Sequence, residues 1–556
     1  MTPRAQIAEL RTHDVTNQPP PLTDYNLFEL DTPLREAMAR QNLDWAEPQL
    51  RKMGEVCGRA ETQEWAVLAN RHTPELQSHD RFGHRLDEVS YHPAYHQLMT
   101  LGVEHKVPSI AWQGDRPGGH TVHTALEYLL FQVEAGVCCP LTMTYAAVAA
   151  LRNQPDVAAE WEPRIMAASY DPRFVPAAEK TGVTVGMAMT EKQGGSDVRA
   201  NTTRAVALGR SGPGEAYALT GHKWFCSAPM CDAFLTLAYA EGGLSCFLVP
   251  RWTPDGARNP FLIQRLKDKL GNRSNASSEI EFEDTWGQLL GEEGRGVATI
   301  MDMVQHTRLD TTLAPAAMMR QAVVQATHHA AHRSAFQRRL VQQPLMRNVL
   351  ADLALESEAA TALTIRLAQA FDDAEADATA KAFARICIAV GKYWLNKRLP
   401  NVVYEAMECL GGAGYVEDSG MPRLYREAPL NSIWEGSGNV ICLDVLRAIR
   451  RTPDSLQALF DEIELARGGN ADLDAAVASL KQWFAPQGDI EPHARRLTEG
   501  LALCLQASLL VRRAPAAVAD AFCRSRLGGE GGHAYGTLPD GADHGAIIGR
   551  AWAPAA

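Results

Sequence analysis

The sequence predicts a mainly helical protein with an inserted β domain and a further helical domain at its end. Three observations carry this prediction. Residues 1–180 are rich in helix-forming apolar residues, residues 181–290 contain short strand-like runs, and helical periodicity returns after Gly296. The order helical, β, helical differs from the alternation of a βαβ chain. A chain of 556 residues also exceeds what one hydrophobic core usually serves.

We expect four domains in chain order: an N-terminal helical domain (1–180), a β domain (181–290), a helical bundle (291–450) and a C-terminal helical domain (451–556). In the first, Pro140 should interrupt any helix over the apolar residues 125–151, because proline removes a helical hydrogen bond.

Two periodicities support the later domains. Residues 278–283 alternate acidic and apolar side chains, and the runs 217–220, 234–239 and 245–249 read as further strands. In the bundle, apolar residues recur with the spacing of one helix face, and these are Leu353, Ala360, Leu363, Leu367, Ala370 and Phe371. Similar alanine-rich runs cover 311–340 and 378–410.

Composition excludes several classes of protein. With 46% hydrophobic and 22% charged residues, the chain is neither disordered nor fibrous. A net charge of −12 argues against the whole surface binding nucleic acid, although a local basic face remains open. The 11 cysteines form no C-x-x-C pair, so we expect reduced, buried thiols in a cytoplasmic protein. No signal peptide, membrane span or metal site is predicted.

Three segments have residue types suited to chemistry. In Met189–Val198, glycines and hydroxyl residues let backbone N–H groups approach a ligand. Phe225 and Ser227 point the same way on a strand, so one can lie against a flat ring while the other hydrogen-bonds its edge. Glu435, between an Ile-Trp pair and a Gly-Ser-Gly turn, is expected to be a partly desolvated base. The alternatives are a polar turn, an aromatic core residue beside a serine, and a solvated glutamate.

Read together, these segments resemble the acyl-CoA dehydrogenase superfamily of flavoproteins. The resemblance rests on MTEKQGGSDV, the W-F-x-S strand, Arg333-x-x-Phe336, LGGAGY at 410–415 and IWEGSGN. The runs RLKDKLGNRSNAS, QQPLMR and PRLYRE narrow it to the AidB subgroup. It covers residues 15–450 strongly, and it implies a helical domain, a β domain and a helical bundle that bind FAD, with an added C-terminal helical domain in a homotetramer.

The resemblance also implies roles for individual residues. Glu435 would be the catalytic base, with Arg308 orienting it. Arg333, Phe336 and the glycines at 411–414 would reach the adenosine-diphosphate half of FAD in a neighbouring subunit. The residues expected at FAD are Met189, Thr190, Glu191, Lys192, Gln193, Gly194, Gly195, Ser196, Asp197, Val198, Phe225, Cys226, Ser227, Arg333, Phe336, Ile433, Trp434, Gly436, Ser437, Gly438 and Asn439.

Three residues depart from the family pattern on the adenine side. Gln337 follows the Arg-x-x-Phe run where glycine is common, and Pro344 stands where many members have glutamine. Glu408 replaces a usual glutamine, and a carboxylate beside the FAD pyrophosphate would be repelled. These departures affect the adenine-side assignments and leave the flavin-side ones unchanged.

Two functions follow from the resemblance. The first is α,β-dehydrogenation of a short or branched acyl-CoA thioester. The second is binding of double-stranded DNA during the adaptive response to alkylating agents, through the C-terminal domain and with vestigial dehydrogenase activity. Residues 451–556 contain 10 Lys+Arg against 13 Asp+Glu, so DNA binding would need a clustered face. The candidate arginines for that face are Arg495, Arg496, Arg512, Arg513, Arg524 and Arg526.

Overall fold

The protein is described by a computed structural model over residues 11–114, 116–484 and 489–552. The first ten residues, which belong to the segment where no signal peptide is predicted, lie outside this range. The described chain divides into two compact units. Unit 1 takes the residues up to 64, 312–434 and those from 438 onward, and unit 2 takes 65–311 and 435–437. These units cross the boundaries of the four predicted domains, which stay a prediction.

The first part of the chain is helical, with one short hairpin. The elements are α1 (Thr32–Arg40), α2 (Glu47–Gly58), α3 (Ala60–Arg71), β1 (Glu75–His79), β2 (Arg85–Ser90), α4 (Pro93–Glu104), α5 (Gly119–Phe131), α6 (Ala135–Leu151) and α7 (Pro155–Ile165). The β1–β2 hairpin is not predicted from the sequence, because its strands are short and mostly polar. Such strands lack the alternation that marks a half-buried strand.

Pro140 does not interrupt the helix, so that prediction is wrong. Helix α6 runs continuously from Ala135 to Leu151 with Pro140 inside it. Proline at this position removes only the bond to the carbonyl of Gly136, near the helix start. Nearly every side chain of α6 is buried, and that burial offsets the loss.

The β domain is a closed barrel in unit 2. Its strands are β3 (Val185–Ala188), β4 (Arg204–Ala207), β5 (Ala216–Ser227), β6 (Ala233–Ala240), β7 (Gly243–Pro250), β8 (Phe261–Leu266) and β9 (Ser277–Leu290). Strands β4, β5, β9, β7 and β6 pair in that order, and β6 pairs back to β4, while β3 and β8 flank β6 and β9. The runs at 217–220, 234–239, 245–249 and 278–283 all lie in strands, as predicted.

The last part of the chain is helical again. Its helices are α8 (Gly296–His332), α9 (Pro344–Asp373), α10 (Ala378–Cys409), α11 (Met421–Glu427), α12 (Gly438–Arg451), α13 (Pro453–Glu464), α14 (Ala471–Gln482), α15 (Ala494–Arg513), α16 (Ala516–Arg526) and α17 (His544–Ala551). A hairpin of β10 (Ser334–Ala335) and β11 (Arg338–Arg339) follows α8. In α9 the predicted core face is buried, except for the half-buried Phe371. Helix α9 packs against α10, α15 and α17.

The 11 cysteines all lie in the described part of the chain, where they are buried and form no disulfide bonds. Among the described residues, no helix is both long and apolar enough to cross a bilayer.

Candidate active site

Glu435 belongs to unit 2, where helix α8 holds it at two points. The Thr307 hydroxyl donates a hydrogen bond of 2.8 Å to Glu435 Oε2. Arg308 Nε donates to the backbone carbonyl of Glu435 at 3.3 Å. Arg308 is 7% exposed, so its guanidinium is held in the interior beside this segment. The first contact orients the carboxylate, and the second orients the backbone that carries it.

The backbone at Glu435 adopts an unusual conformation. Glu435 has φ +57°, in the left-handed region, and Gly436 follows with φ +105°. A non-glycine residue in that region costs about 1–3 kcal/mol and persists where surrounding structure over-determines it. The half-buried Glu435 side chain is therefore presented by a strained turn that α8 fastens.

The loop after β3 is fixed from below by a buried ion pair. Glu191 Oε1 lies 2.9 Å from Lys223 Nζ, and both side chains are fully buried. The Glu191 carboxylate also accepts hydrogen bonds from the backbone N–H groups of Thr202 and Thr203. Burial alone would raise the pKa of Glu191, but the Lys223 ammonium and these donors outweigh it and hold the pKa well below its usual range.

This ion pair changes the expected role of Glu191. Its side chain points inward and is occupied by Lys223 and the two threonines, so it is not presented to a ligand. A backbone hydrogen bond from the Trp224 N–H to the Thr190 carbonyl, at 2.8 Å, also fixes the start of this loop. Residues 192–197 beside this ion pair are mostly exposed.

Gly195 is required by the loop's own packing. A Cβ at this position would lie 2.3 Å from Thr190 Oγ1, closer than real contacts allow. Its neighbour Gly194 has φ +131° and open space around it. The two glycines therefore have different roles: Gly195 allows close packing against Thr190, and Gly194 allows the positive φ of the turn.

The end of β5 presents an aromatic ring and a hydroxyl, as predicted. The Phe225 ring is 51% exposed, Cys226 is buried and Ser227 is half-buried, which is the alternation expected of a strand. The pairing of β5 with β9 shifts register between Lys223 and Cys226, and such an irregularity re-aims the side chains beside it.

The pKa of Cys139 on α6 is influenced both by Ser227, at the end of β5, and by Glu435. Burial raises the pKa of the Cys139 thiol to about 12, with the Lys269 charge and a Ser227 hydrogen bond acting against it and the Glu435 charge acting with it. The Cys139 thiol therefore interacts with Ser227 through a hydrogen bond and with Glu435 through its charge. Ser227 and Glu435 thus belong to the same unit, and both act on the Cys139 thiol.

Several residues of this neighbourhood were not singled out from the sequence. Lys269 Nζ donates to the Asn275 carbonyl at 2.6 Å and to Ser277 Oγ at 2.9 Å, beside Ser227. Lys269 and Asn275 belong to the run RLKDKLGNRSNAS, which indicated the subgroup but received no role. Thr307 immediately precedes Arg308, and a hydroxyl beside the predicted orienting arginine was the available signal.

The predicted adenine-side residues lie in unit 1. Arg333 donates to the Asn17 carbonyl at 2.6 Å, and the Phe336 ring is 93% exposed at the tip of the β10–β11 hairpin. Pro344 is the first residue of α9, a position that proline favours. Glu408 is exposed.

The hairpin gives Gln337 a backbone conformation that favours glycine. Phe336 and Gln337 have φ +50° and +64°, as a two-residue type I′ turn requires. Gln337→Gly should remove the steric cost of the left-handed region, about 1 kcal/mol. Exchange of the Leu340 amide, which bonds the Arg333 carbonyl, should then slow about fivefold.

Gln337→Ala is the matched control, because it trims the side chain but keeps the Cβ. Equal slowing in both variants would show that side-chain contacts, and not the turn conformation, set the stability of the hairpin.

The remaining predicted residues flank Glu435 and belong mainly to unit 1. Ile433 is 64% exposed, and Trp434 Nε1 donates to Asn431 Oδ1 at 2.7 Å. Asn439 Oδ1 accepts a hydrogen bond of 2.9 Å from Arg495 Nε. Gly438 is buried at the start of α12, while Ser437 is exposed. Their contacts with FAD stay predictions.

Comparison with known families matches three parts of the chain. Residues 17–172 match the N-terminal domain of the adaptive response protein AidB. Residues 186–285 match the middle domain of acyl-CoA dehydrogenases, and residues 294–450 match their C-terminal domain.

Individual relatives give the same result. The chain is 45% identical to AidB of Escherichia coli strain K12, a protein provisionally named an acyl-CoA dehydrogenase, over 94% of this chain and 96% of AidB. It is 31% identical to acyl-CoA dehydrogenase family member 11 of Caenorhabditis elegans, over 82% of this chain and 75% of that protein.

Solved structures are similar over almost the whole chain. The C. elegans ACDH-11 structure in complex with C11-CoA has a TM-score of 0.83 and 26% identity, covering 99% of this chain and 95% of that one. The apo form of Bd2924 has a TM-score of 0.82 and 28% identity, covering 90% of this chain and 100% of that one.

Proposed function

The chain belongs to the acyl-CoA dehydrogenase family, in its AidB subgroup, and on that premise we propose that it is an FAD-dependent dehydrogenase of acyl-CoA thioesters. The observation that carries the proposal is the positioned carboxylate of Glu435, which accepts a hydrogen bond of 2.8 Å from Thr307 in the same unit that holds Phe225 and Ser227. A flavin dehydrogenase needs a base for the substrate, which Glu435 offers, and groups that contact the flavin, which Phe225 and Ser227 offer at the end of β5.

The residues present fit a flat aromatic cofactor. Phe225 offers an exposed ring, Ser227 offers a hydroxyl, and the loop 192–197 is mostly exposed. Lys267 Nζ lies 4.7 Å from the centroid of the Phe225 ring and is paired with Glu279 at 2.6 Å. These residues would hold the flavin portion of FAD, and FAD when bound supplies the acceptor for the hydride from the β-carbon.

Glu435 has the role of general base. Its carboxylate takes the α-proton of the thioester while the β-hydrogen leaves as hydride, so that one C–H electron pair becomes the new double bond. The Thr307 hydroxyl holds the carboxylate in place during that transfer. Positioned proton transfer of this kind contributes about 10²–10⁴-fold to a rate.

The α-proton of a thioester is a weak acid, so a carboxylate needs help to remove it. Donors aimed at the carbonyl oxygen stabilise the developing enolate, and each is worth about 3–4 kcal/mol by analogy with oxyanion holes. The backbone N–H of Glu435 is the donor that we assign to this task. The strained turn and the Arg308 contact hold that peptide segment in one orientation.

The adenine-side prediction gains one supporting feature. The Phe336 ring is 93% exposed at the hairpin tip, where it is open to contact with another chain. This exposure suits the proposed homotetramer, in which Phe336 and Arg333 reach FAD bound by a neighbouring subunit. The exposed Glu408 is the feature that works against tight binding of the pyrophosphate there.

The predicted DNA-binding face receives less support. Three of its six arginines are paired with carboxylates: Arg512 with Glu462, Arg524 with Glu530 and Arg526 with Glu356. Arg495 is engaged with Asn439. A guanidinium in an ion pair contributes little net charge toward phosphates. DNA binding therefore stays a prediction, and we do not extend the proposal to it.

Anaerobic mixing with acyl-CoA thioesters tests the proposal. The panel spans butyryl-CoA, isovaleryl-CoA and an undecanoyl-CoA, because the sequence suggests short or branched groups whereas the ACDH-11 structure contains C11-CoA. At least one thioester should bleach the flavin absorbance of the yellow protein. If dithionite bleaches the flavin but no thioester does, the proposed activity is wrong. A protein that stays colourless after FAD is added would contradict the proposed cofactor.

A further inference from the structure

A buried cluster outside the proposed flavin site brings together one histidine and two carboxylates. His123 and Glu127 are four residues apart on α5, so they share one face of that helix. Asp310 on α8 meets them from the other side. The exposed fractions of the three side chains are 0%, 0% and 1%. All three belong to unit 2.

The distances match those between ligands of a single cation. His123 Nε2 lies 3.0 Å from Asp310 Oδ1 and 3.3 Å from Glu127 Oε2, and one ligand atom from each residue lies within 4.8 Å of the others. Imidazole nitrogens and carboxylate oxygens bind first-row cations at about 2.0–2.2 Å. Ligands around such a cation are about 3 Å apart when their bonds are roughly perpendicular.

His123 is oriented as metal-binding histidines are. Its Nδ1 lies 2.6 Å from the backbone carbonyl of Val107, so Nδ1 carries the hydrogen and donates it. The other nitrogen, Nε2, then faces the two carboxylates. A ring nitrogen held by a backbone carbonyl, with the opposite nitrogen directed at a cation, is the usual arrangement around a bound metal.

The carboxylates have buried oxygens that the surrounding residues do not satisfy. Among the residues that the structure describes, no N–H or hydroxyl group donates a hydrogen bond to Glu127 Oε2 or Asp310 Oδ2, and the two carboxyl groups contact each other. Glu127 Oε1 does accept one, from the Thr142 hydroxyl at 2.9 Å. A buried carboxylate oxygen without a hydrogen-bond donor is costly, and bound cations are one way proteins offset that cost. These oxygens are the second, independent sign of a ligand at the cluster.

We propose that His123, Glu127 and Asp310 bind one divalent transition cation of the Mn²⁺, Fe²⁺ or Zn²⁺ class. One imidazole and two carboxylates suit these ions better than Ca²⁺ or Mg²⁺ sites, which use oxygen ligands. Two carboxylates balance a charge of +2 in an interior that water does not reach. The sequence analysis predicted no metal site, because Asp310 lies 187 residues from His123 and no short motif joins them.

The cation ties α5 to α8 close to the proposed base. Asp310 is three residues after Thr307, the residue that donates to Glu435. A site this buried forms as the chain folds, so metal binding contributes to stability and not to substrate turnover. The alternative arrangement contains no metal. In it, His123 is an imidazolium paired with Asp310, and Glu127 is protonated. The inference does not depend on the proposed function.

Metal content of the purified full-length protein decides between the two arrangements. We expect about one equivalent of Mn²⁺, Fe²⁺ or Zn²⁺ per chain, either as purified or after dialysis with one of these ions alone. Glu127→Gln and Asp310→Asn keep the side-chain shapes but remove a charged ligand, and each should lower the bound metal at least about tenfold.

Glu134→Gln is the matched control. Glu134 is also buried in unit 2, and it accepts a hydrogen bond of 2.8 Å from the Val137 N–H outside the cluster. Its amide variant should keep the metal. A dialysed wild-type protein with no more metal than Glu127→Gln would overturn the proposal and favour the metal-free arrangement. If Asp310→Asn does not fold, Mn²⁺ added to the wild type alone gives the answer, because binding removes the free-ion signal in electron paramagnetic resonance and an undiminished signal overturns the site.

Discussion

Glu435→Gln should abolish flavin reduction by a cognate acyl-CoA while FAD stays bound. The amide cannot accept the α-proton, but it keeps the shape of the side chain and can still accept the Thr307 hydrogen bond. We expect the rate of flavin bleaching in anaerobic stopped-flow mixing to fall by at least about 10²–10⁴-fold. The flavin spectrum and the FAD content per chain should not change.

A matched control separates loss of the base from loss of a charge. Glu375→Gln removes an exposed carboxylate between α9 and α10 and should leave bleaching unaffected. Unchanged bleaching in Glu435→Gln would mean that another group is the base, and the account of the strained turn at Glu435 would then need a different explanation.

Breaking the Glu191–Lys223 pair should have the largest effect on stability. Glu191→Gln leaves the Lys223 ammonium without its counter-charge in a fully buried site. Removing one partner of such a pair costs about 3–5 kcal/mol. The midpoint of urea unfolding should fall accordingly, and the loop at 192–197 should become susceptible to proteolysis because Glu191 no longer anchors it.

Two comparisons make the result specific. In the double variant Glu191→Gln/Lys223→Met, part of the loss should be recovered, because no charge is then left buried. Glu215→Gln breaks an exposed pair with Arg210, whose side chain is 87% exposed, and should cost no more than about 1 kcal/mol. Equal losses in the buried and exposed pairs would contradict the role assigned to Glu191.

The buried pair also predicts a pH dependence. The folded state holds the pKa of Glu191 below its value in the unfolded chain, so acidification protonates the unfolded chain first. The advantage of wild type over Glu191→Gln should be complete above about pH 5 and shrink as the pH falls further. A difference that stays constant into acid would show that Glu191 stabilises the loop without its charge.

The architecture could be predicted because periodicity changes at the domain boundaries. The runs that became β5, β6, β7 and β9 alternate or are continuously apolar, and the face of α9 from Leu353 to Ala370 repeats with helical spacing. The β1–β2 hairpin and the continuity of α6 through Pro140 were missed, since neither has a local signal. Burial of α6 on all sides decides the second case, and burial is a property of the fold.

The candidate site could be predicted only in part. Glu435 and Ser227 were identified because the segments around them resemble a family, and in the structure both act on the Cys139 thiol. Thr307 and Lys269 depend on pairings across long chain separations, which one sequence does not reveal. Glu191 looked like part of a ligand loop from its neighbours, but its partner Lys223 turns the side chain inward.

Exchange of the α-proton tests the central claim most directly, because it follows the proposed base before any electron leaves the substrate. The protein with bound FAD is incubated in D₂O with an acyl-CoA analogue that has a sulfur atom at the β-position and so cannot lose hydride. Deuterium at the α-carbon is then followed by nuclear magnetic resonance. We predict exchange with the wild type and none above background with Glu435→Gln. Equal exchange with both proteins would contradict the assignment of Glu435 as the group that takes this proton.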